Sequence, residues 1–136
     1  MIVATNAWTI QWRRITAELL QSTYAQASFG PSDSRNTIVR DAVTDLDNIL
    51  QPYADPRMDN AQRRRNLEEI IKRSAVFAFT LFSQPSQWSF DWKEEQSVTS
   101  GDLCVFPALV QVMDEAGEPV RPPRPFNEAV VRKLSV

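Results

Sequence analysis

Phe77-Ala-Phe-Thr-Leu-Phe-Ser-Gln-Pro85-Ser-Gln-Trp88-Ser-Phe-Asp-Trp92 is the stretch on which the fold turns. Up to Ser83 the apolar residues recur at helical spacing, and Pro85 stops the helix because it lacks an N–H and clashes with the preceding turn. Beyond it, Trp88, Phe90 and Trp92 alternate with Ser89, Asp91 and Lys93, the period of two that marks a strand with one aromatic face. The change of period predicts helices first and β structure afterwards.

Three helical segments are expected upstream. Segment C, about 60–83, carries Leu67, Ile70, Ser74, Phe77 and Leu81 on one stripe. Asp59 with Gln62 resembles a capping box. Glu68–Lys72 and Glu69–Arg73 are i,i+4 pairs in the favourable orientation. Segment B, about 34–51, steps through Val39, Ala42, Leu46, Ile49 and Tyr53, widened by Ile38, Val43 and Leu50. Ser32 or Asp33 is the expected cap and Pro52 marks the exit. Segment A, about 6–28, places Trp8, Trp12, Ile15 and Leu19 on one face at steps of four, three and four. Thr5 or Asn6 is its expected cap, and Gly30-Pro31 its stop.

Downstream of the aromatic strand, 94–102 reads as a polar loop. Residues 103–113 form a near-continuous apolar run, so a strand buried on much of both faces is expected. Pro107 inside it cannot donate to a ladder and predicts an edge or a bulge. Asp114-Glu-Ala-Gly117 is a turn, and Arg121-Pro-Pro-Arg-Pro125 should be extended as polyproline II. The expectation is therefore α+β, mainly α, in a single domain over 1–136: a three-helix antiparallel bundle, a small antiparallel β unit at about 87–113, and a Pro-rich tail at 119–136. At 136 residues such a chain can bury about 68–70% of its unfolded surface.

Composition narrows the function. There is no histidine, which removes Ser-His-Asp and Cys-His catalysis and His-ligated zinc. One cysteine rules out a disulfide scaffold. Fifteen Lys and Arg against 17 Asp and Glu give a net charge of −2, without the basic excess of a nucleic-acid or anionic-membrane binder. No stretch approaches the roughly 20 apolar residues of a membrane span, and the N-terminus lacks the pattern of a secretory signal. An intracellular setting, cytoplasmic or nuclear, is expected, and the chain reads as a piece of a longer protein.

Chemistry-bearing groups are sparse. Asp41 and Asp45 lie at i,i+4, but neither a Glu-x-x-His element nor a calcium loop accompanies them, so a solvated helix face is expected rather than a metal site. Arg63-Arg64-Arg65 offers a phosphate or an acidic partner a basic triplet. The plainer reading pairs Arg64 with Glu68 and Arg65 with Glu69. Cys104, between Leu103 and Val105, is expected to be a buried structural thiol. Pro119, Pro122 and Arg124 match P-x-x-P-x-[KR], a ligand pattern for SH3-type grooves. With no catalytic motif and no phosphate-cradling glycine loop, neither an enzyme nor a cofactor is expected.

The stretch from Leu81 to Trp92, followed by Leu103-Cys-Val-Phe-Pro-Ala-Leu-Val-Gln-Val-Met-Asp-Glu-Ala-Gly117, resembles C-terminal segments of uncharacterised fungal proteins. The resemblance covers about residues 65–120. It implies that the third helix and the β segments form one unit that closes a larger protein, and it carries over no activity or ligand.

Aromatic residues are the most informative feature. Phe77 and Phe79 lie about 200° apart on a helix, so they cannot share one stripe. The resulting expectation is a non-catalytic protein-interaction or oligomerisation domain, the C-terminal module of a larger regulatory protein. Its interface candidates are Trp8, Trp12, Phe79, Phe82, Trp88 and Trp92, and its partner is a protein or a second copy. The alternative is a small-molecule-binding regulatory domain with an aromatic pocket between the helices and the β unit, anchored by Arg64 or Arg73.

Overall fold

The computed structural model describes residues 2–25, 29–93 and 101–133, with side chains from Trp8 onward. The element order is α1 (Ile2–Tyr24), α2 (Arg35–Leu50), a 3-10 turn (Gln51–Tyr53), α3 (Asn60–Ser83), then β1 (Gln87–Asp91), β2 (Asp102–Phe106), β3 (Ala108–Met113), β4 (Pro119–Pro125) and β5 (Val130–Lys133). The architecture is α+β, with three helices and two small antiparallel sheets. Two compact units emerge. One comprises Met1–Thr16 with Ser83–Val136, the other Ala17–Phe82, and α1 contributes to both.

In the β-containing unit, β3 is the central strand of a three-stranded sheet in the order β1-β3-β4. Its first half is the buried part: Ala108, Leu109 and Val110 are buried, and the residues after them are half-buried. The run 103–113 is not one strand. Pro107 breaks it, and β2 leaves to pair with β5 in a separate two-stranded sheet. The expectation that this run is buried on much of both faces is corrected for its first half: Leu103, Val105 and Phe106 are exposed. These residues sit in a narrow two-stranded ribbon, which has little face of its own to bury side chains against.

The break at Pro107 is bridged by a side chain. Asn127 Oδ1 accepts the Leu109 N–H at 2.9 Å, and Asn127 Nδ2 donates to the Pro107 carbonyl at 3.3 Å and to the Glu128 carbonyl at 3.0 Å. The side-chain amide thus supplies the donor and the acceptor that a neighbouring strand would offer. Phe126 N–H donates to the Leu109 carbonyl at 2.8 Å beside it.

The tail is folded. Pro119–Pro125 is β4, an edge strand paired to β3 through Val110–Pro125, Gln111–Arg124 and Met113–Pro119, in place of free polyproline II. Prolines suit an edge, because they remove donors that would recruit another strand. The expected turn at Asp114 is present: its Oδ1 accepts the N–H groups of Ala116 and Glu118, both at 2.9 Å, and Gly117 adopts φ 82°.

In this unit α1 buries Ile10. Arg13 Nη2 donates to the carbonyl of buried Ser86 at 3.3 Å, and Gln111 Nε2 donates to the Ser86 hydroxyl at 3.1 Å. Thr5 and Asn6 lie inside α1 and do not cap it, since the helix begins at Ile2. Residues 26–28 of the expected first helix, and 94–100 of the expected loop, lie outside the described residues.

The helical unit is held largely by charged and aromatic contacts. α2 buries Val39 and Val43 together with Asp47. The expected stripe is corrected here, because Ile38, Leu46, Ile49 and Tyr53 are exposed. Buried Asp47 takes the third turn of that face because a partner neutralises it. Arg63 Nε donates to Asp47 Oδ1 at 2.8 Å, and Arg64 Nη1 lies 3.6 Å from Oδ2. Arg63 Nη2 is equally close to Oδ1 at 2.8 Å but at a poor hydrogen-bonding angle, so that contact is Coulombic. α3 buries no residue fully; Leu67 and Leu81 of the expected stripe are half-buried, as are Arg63, Ile71, Val76 and Phe79, whereas Ile70, Ser74 and Phe77 are exposed.

Asp33 does not cap α2 from the N-cap position, which is Ser34; its Oδ1 accepts the Arg35 N–H at 2.9 Å. The Arg35 guanidinium chelates the Asp33 carboxylate and lies 3.9 Å from the Phe29 ring centroid and 5.0 Å from that of Tyr24. Tyr24 stacks in turn on Phe79, centroid to centroid 5.8 Å. This cluster joins α1, α2 and α3 within the unit. Asp59 Oδ1 accepts the Ala61 N–H at 3.2 Å, without the return bond from Gln62 that a full capping box needs. Glu68–Lys72 forms at 2.6 Å.

Candidate interaction surface

The 4-3-4 spacing on α1 defines a face, as expected, but the core lies elsewhere. At 100° per residue, Trp8, Trp12 and Ile15 fall within about 60° of one another. Ile10 and Ala17, 8% and 6% exposed, lie on the opposite side of the helix, whereas Trp8 and Trp12 are 77% and 60% exposed. Ile15 is half exposed, and Leu19 continues the same face into the helical unit, also exposed. The helix therefore presents an aromatic face to solvent and packs through a narrower face of Ile10, Arg13 and Ala17.

The other four interface candidates divide. Trp92, just after β1, is exposed. Trp88 is half-buried, edge-on to Phe126 at 6.2 Å, and its Nε1 is buried without an acceptor. Phe79 is half-buried on Tyr24, and Phe82 is half-buried at the end of α3. Phe77, on the other side of α3, is exposed. Asp91, the last residue of β1, pairs with Lys93 Nζ at 2.7 Å and accepts the Lys93 N–H at 2.9 Å; this hydrogen bonding holds its carboxyl below the ordinary value.

Residues that the sequence reading did not select also reach the surface. Phe106 and Phe126 are exposed, and so are Val130 and Val131 on β5. The only sequence signal for them was Pro107, which gives no indication of which side of the break stays buried.

Pro122 and Pro125 line an open cleft of about 710 Å³ in the β-containing unit, together with Phe90, Val110, Val112 and Glu128. The P-x-x-P prolines thus lie beside the domain's own aromatic and aliphatic residues. An SH3-type groove would have to peel β4 from β3 to read Pro119, Pro122 and Arg124 as polyproline II.

In the helical unit, α2 and α3 enclose a groove of about 310 Å³ lined by Arg40, Arg64, Arg65 and Glu68, with Val39 and Val43 as its apolar part. No aromatic residue lines it, so Arg64 anchors no aromatic pocket there. Arg64 faces Asp47 and donates to Thr44 Oγ1 at 3.3 Å, in place of the expected pair with Glu68. Asp41 and Asp45 are exposed on α2, and among the described residues no group of three or more Cys, Asp or Glu is placed to hold a metal. Cys104 is half-buried rather than buried, and its Sγ lies 3.4 Å from the Phe106 carbonyl.

Comparison with family models, with curated proteins and with solved structures finds no match. Among the described residues, no helix is long and apolar enough to cross a membrane.

Proposed function

We propose that this chain is a non-catalytic protein-interaction module that works by burying the Trp8–Trp12–Ile15 face of α1 against another protein surface, in the first instance a second copy of itself. The observation that carries the reading is the solvent exposure of two tryptophans opposite the buried Ile10–Ala17 side of the same helix. Burying two tryptophans at these exposures removes about 300 Å² of apolar surface per chain, and an isologous dimer doubles it. At about 25 cal/mol/Å² that is roughly 15 kcal/mol, comparable with the 4–15 kcal/mol cost of association. About 400 Å² of further contact around the tryptophans brings such a dimer to the roughly 1,000 Å² of a specific interface.

Steps of four and three are also the spacing of a coiled-coil seam, so a second helix is the natural occupant. Within the helical unit, the short connections favour an antiparallel bundle of α2, α3 and the second half of α1. A lone thiol fits a reducing, intracellular setting.

Light scattering on the size-exclusion eluate, at two loading concentrations, tests the reading. A mass that rises with concentration, and falls to the monomer in Trp8→Ala/Trp12→Ala with unchanged circular dichroism, supports it. A monomer at both concentrations refutes self-association, and loss of helicity in the double variant refutes the surface role.

A further inference from the structure

We infer that the groove between α2 and α3 is an oxyanion site for a small phosphate-bearing molecule, held by Arg40 and Arg65 with Arg64 beside them. Three guanidinium groups line it against one carboxylate, Glu68, which is already paired with Lys72 at 2.6 Å. Arg40 and Arg65 make no ion pair with any described residue. Asp47 is shared between Arg63 and Arg64, so one negative charge serves two positive ones.

The other nearby acids do not fill the groove. Asp41 and Asp45 stand 100° and 140° around α2 from Arg40, while Val39 and Val43 lie on its groove side. Glu69, one turn on from Arg65, forms no ion pair with it. Mutually repelling guanidinium groups left unneutralised on two facing helices are stabilised by an anion that accepts from both. A phosphate oxyanion suits this fork geometry, and about 310 Å³ with Val39 and Val43 alongside leaves room for a small organic portion. A nucleic-acid backbone fits poorly, because the chain carries net charge −2.

The site lies wholly within the helical unit and stands or falls separately from the α1 surface. The test titrates the full chain with inorganic phosphate, pyrophosphate and phenyl phosphate at constant ionic strength, with chloride as control. Thermal shift and the Nε resonances of ¹⁵N-arginine are read. Saturable stabilisation with movement of the Arg40 and Arg65 signals is expected, weakened at least about tenfold in Arg40→Ala/Arg65→Ala and unchanged in Arg57→Ala. Tighter binding of phenyl phosphate than of phosphate identifies an ester as the ligand, and equal binding identifies free phosphate. No saturation, an equal response to chloride, signals of Arg40 and Arg65 that stay still, or binding that survives the double substitution overturns the site. The arginine resonances are read on the unmodified chain, so the outcome does not depend on how the variant folds.

Discussion

Replacing Asn127 by alanine removes the group that stands in for a missing strand at Pro107. The magnitude follows from what each bond protects. The Leu109 N–H lies on the central strand in a buried residue, and its acceptor at 2.9 Å is the Asn127 side chain. Left unsatisfied, a buried donor costs about 1–3 kcal/mol. Of the two bonds that Asn127 donates, the one to the Glu128 carbonyl at 3.0 Å is exposed and its loss adds little, whereas the one to the carbonyl of buried Pro107 is long at 3.3 Å and its loss falls within the same range. Asn127→Ala should therefore destabilise by about 1–3 kcal/mol and lower hydrogen-exchange protection of the Leu109 amide by roughly 5- to 150-fold. Asn127→Asp keeps an acceptor for Leu109 but faces the Pro107 carbonyl with a carboxylate. It should retain more Leu109 protection than alanine does. Urea denaturation gives the stability and amide exchange by NMR gives the site. Unchanged Leu109 protection in Asn127→Ala would refute the bridging role.

Three further outcomes are expected. Asp47→Ala leaves Arg63 buried without its counter-charge and should cost about 3–5 kcal/mol, whereas an apolar replacement of both residues recovers most of it; a double-mutant cycle in urea reads the coupling. Asp33 and Asp91 titrate below their ordinary value of 3.8, Asp33 chiefly through the Arg35 side chain and Asp91 chiefly through the Lys93 side chain. Depressed carboxyl pKa values mean that the stabilisation is complete above about pH 4 and is lost as pH falls through the lower folded value. NMR titration of the side-chain carboxyl carbons checks this, and Asp33→Asn should flatten the acid limb of the stability curve. Gly117→Ala forces a Cβ into a turn residue at φ 82° and should cost about 1–2 kcal/mol by thermal melting.

The period change across Pro85 located both the end of α3 and the start of β1, because helix and strand impose different side-chain spacings on one chain. Spacing likewise put Trp8, Trp12 and Ile15 on one face of α1. It gave no indication of whether that face met the core. An aromatic stripe satisfies a hydrophobic core and a docking surface equally well, and only the burial of Ile10 within the β-containing unit, beside Gln87 and Met113, separates them. Asp47 shows the converse, since a carboxylate at a core-facing position is intelligible only once Arg63, sixteen residues on, is brought beside it.

Local periodicity and the breakers Pro85, Pro107 and Gly117 thus determined the kinds of element and most of their limits, because they act within a few bonds of the backbone. Tertiary structure alone decided the rest. It sent the two sides of Pro107 into different sheets, turned the Pro-rich tail into an edge strand, recruited Asn127 as a strand substitute and left Arg40 and Arg65 without acids. Each of those outcomes depends on which distant groups come within hydrogen-bonding or Coulombic reach. One-dimensional spacing carries no information about that.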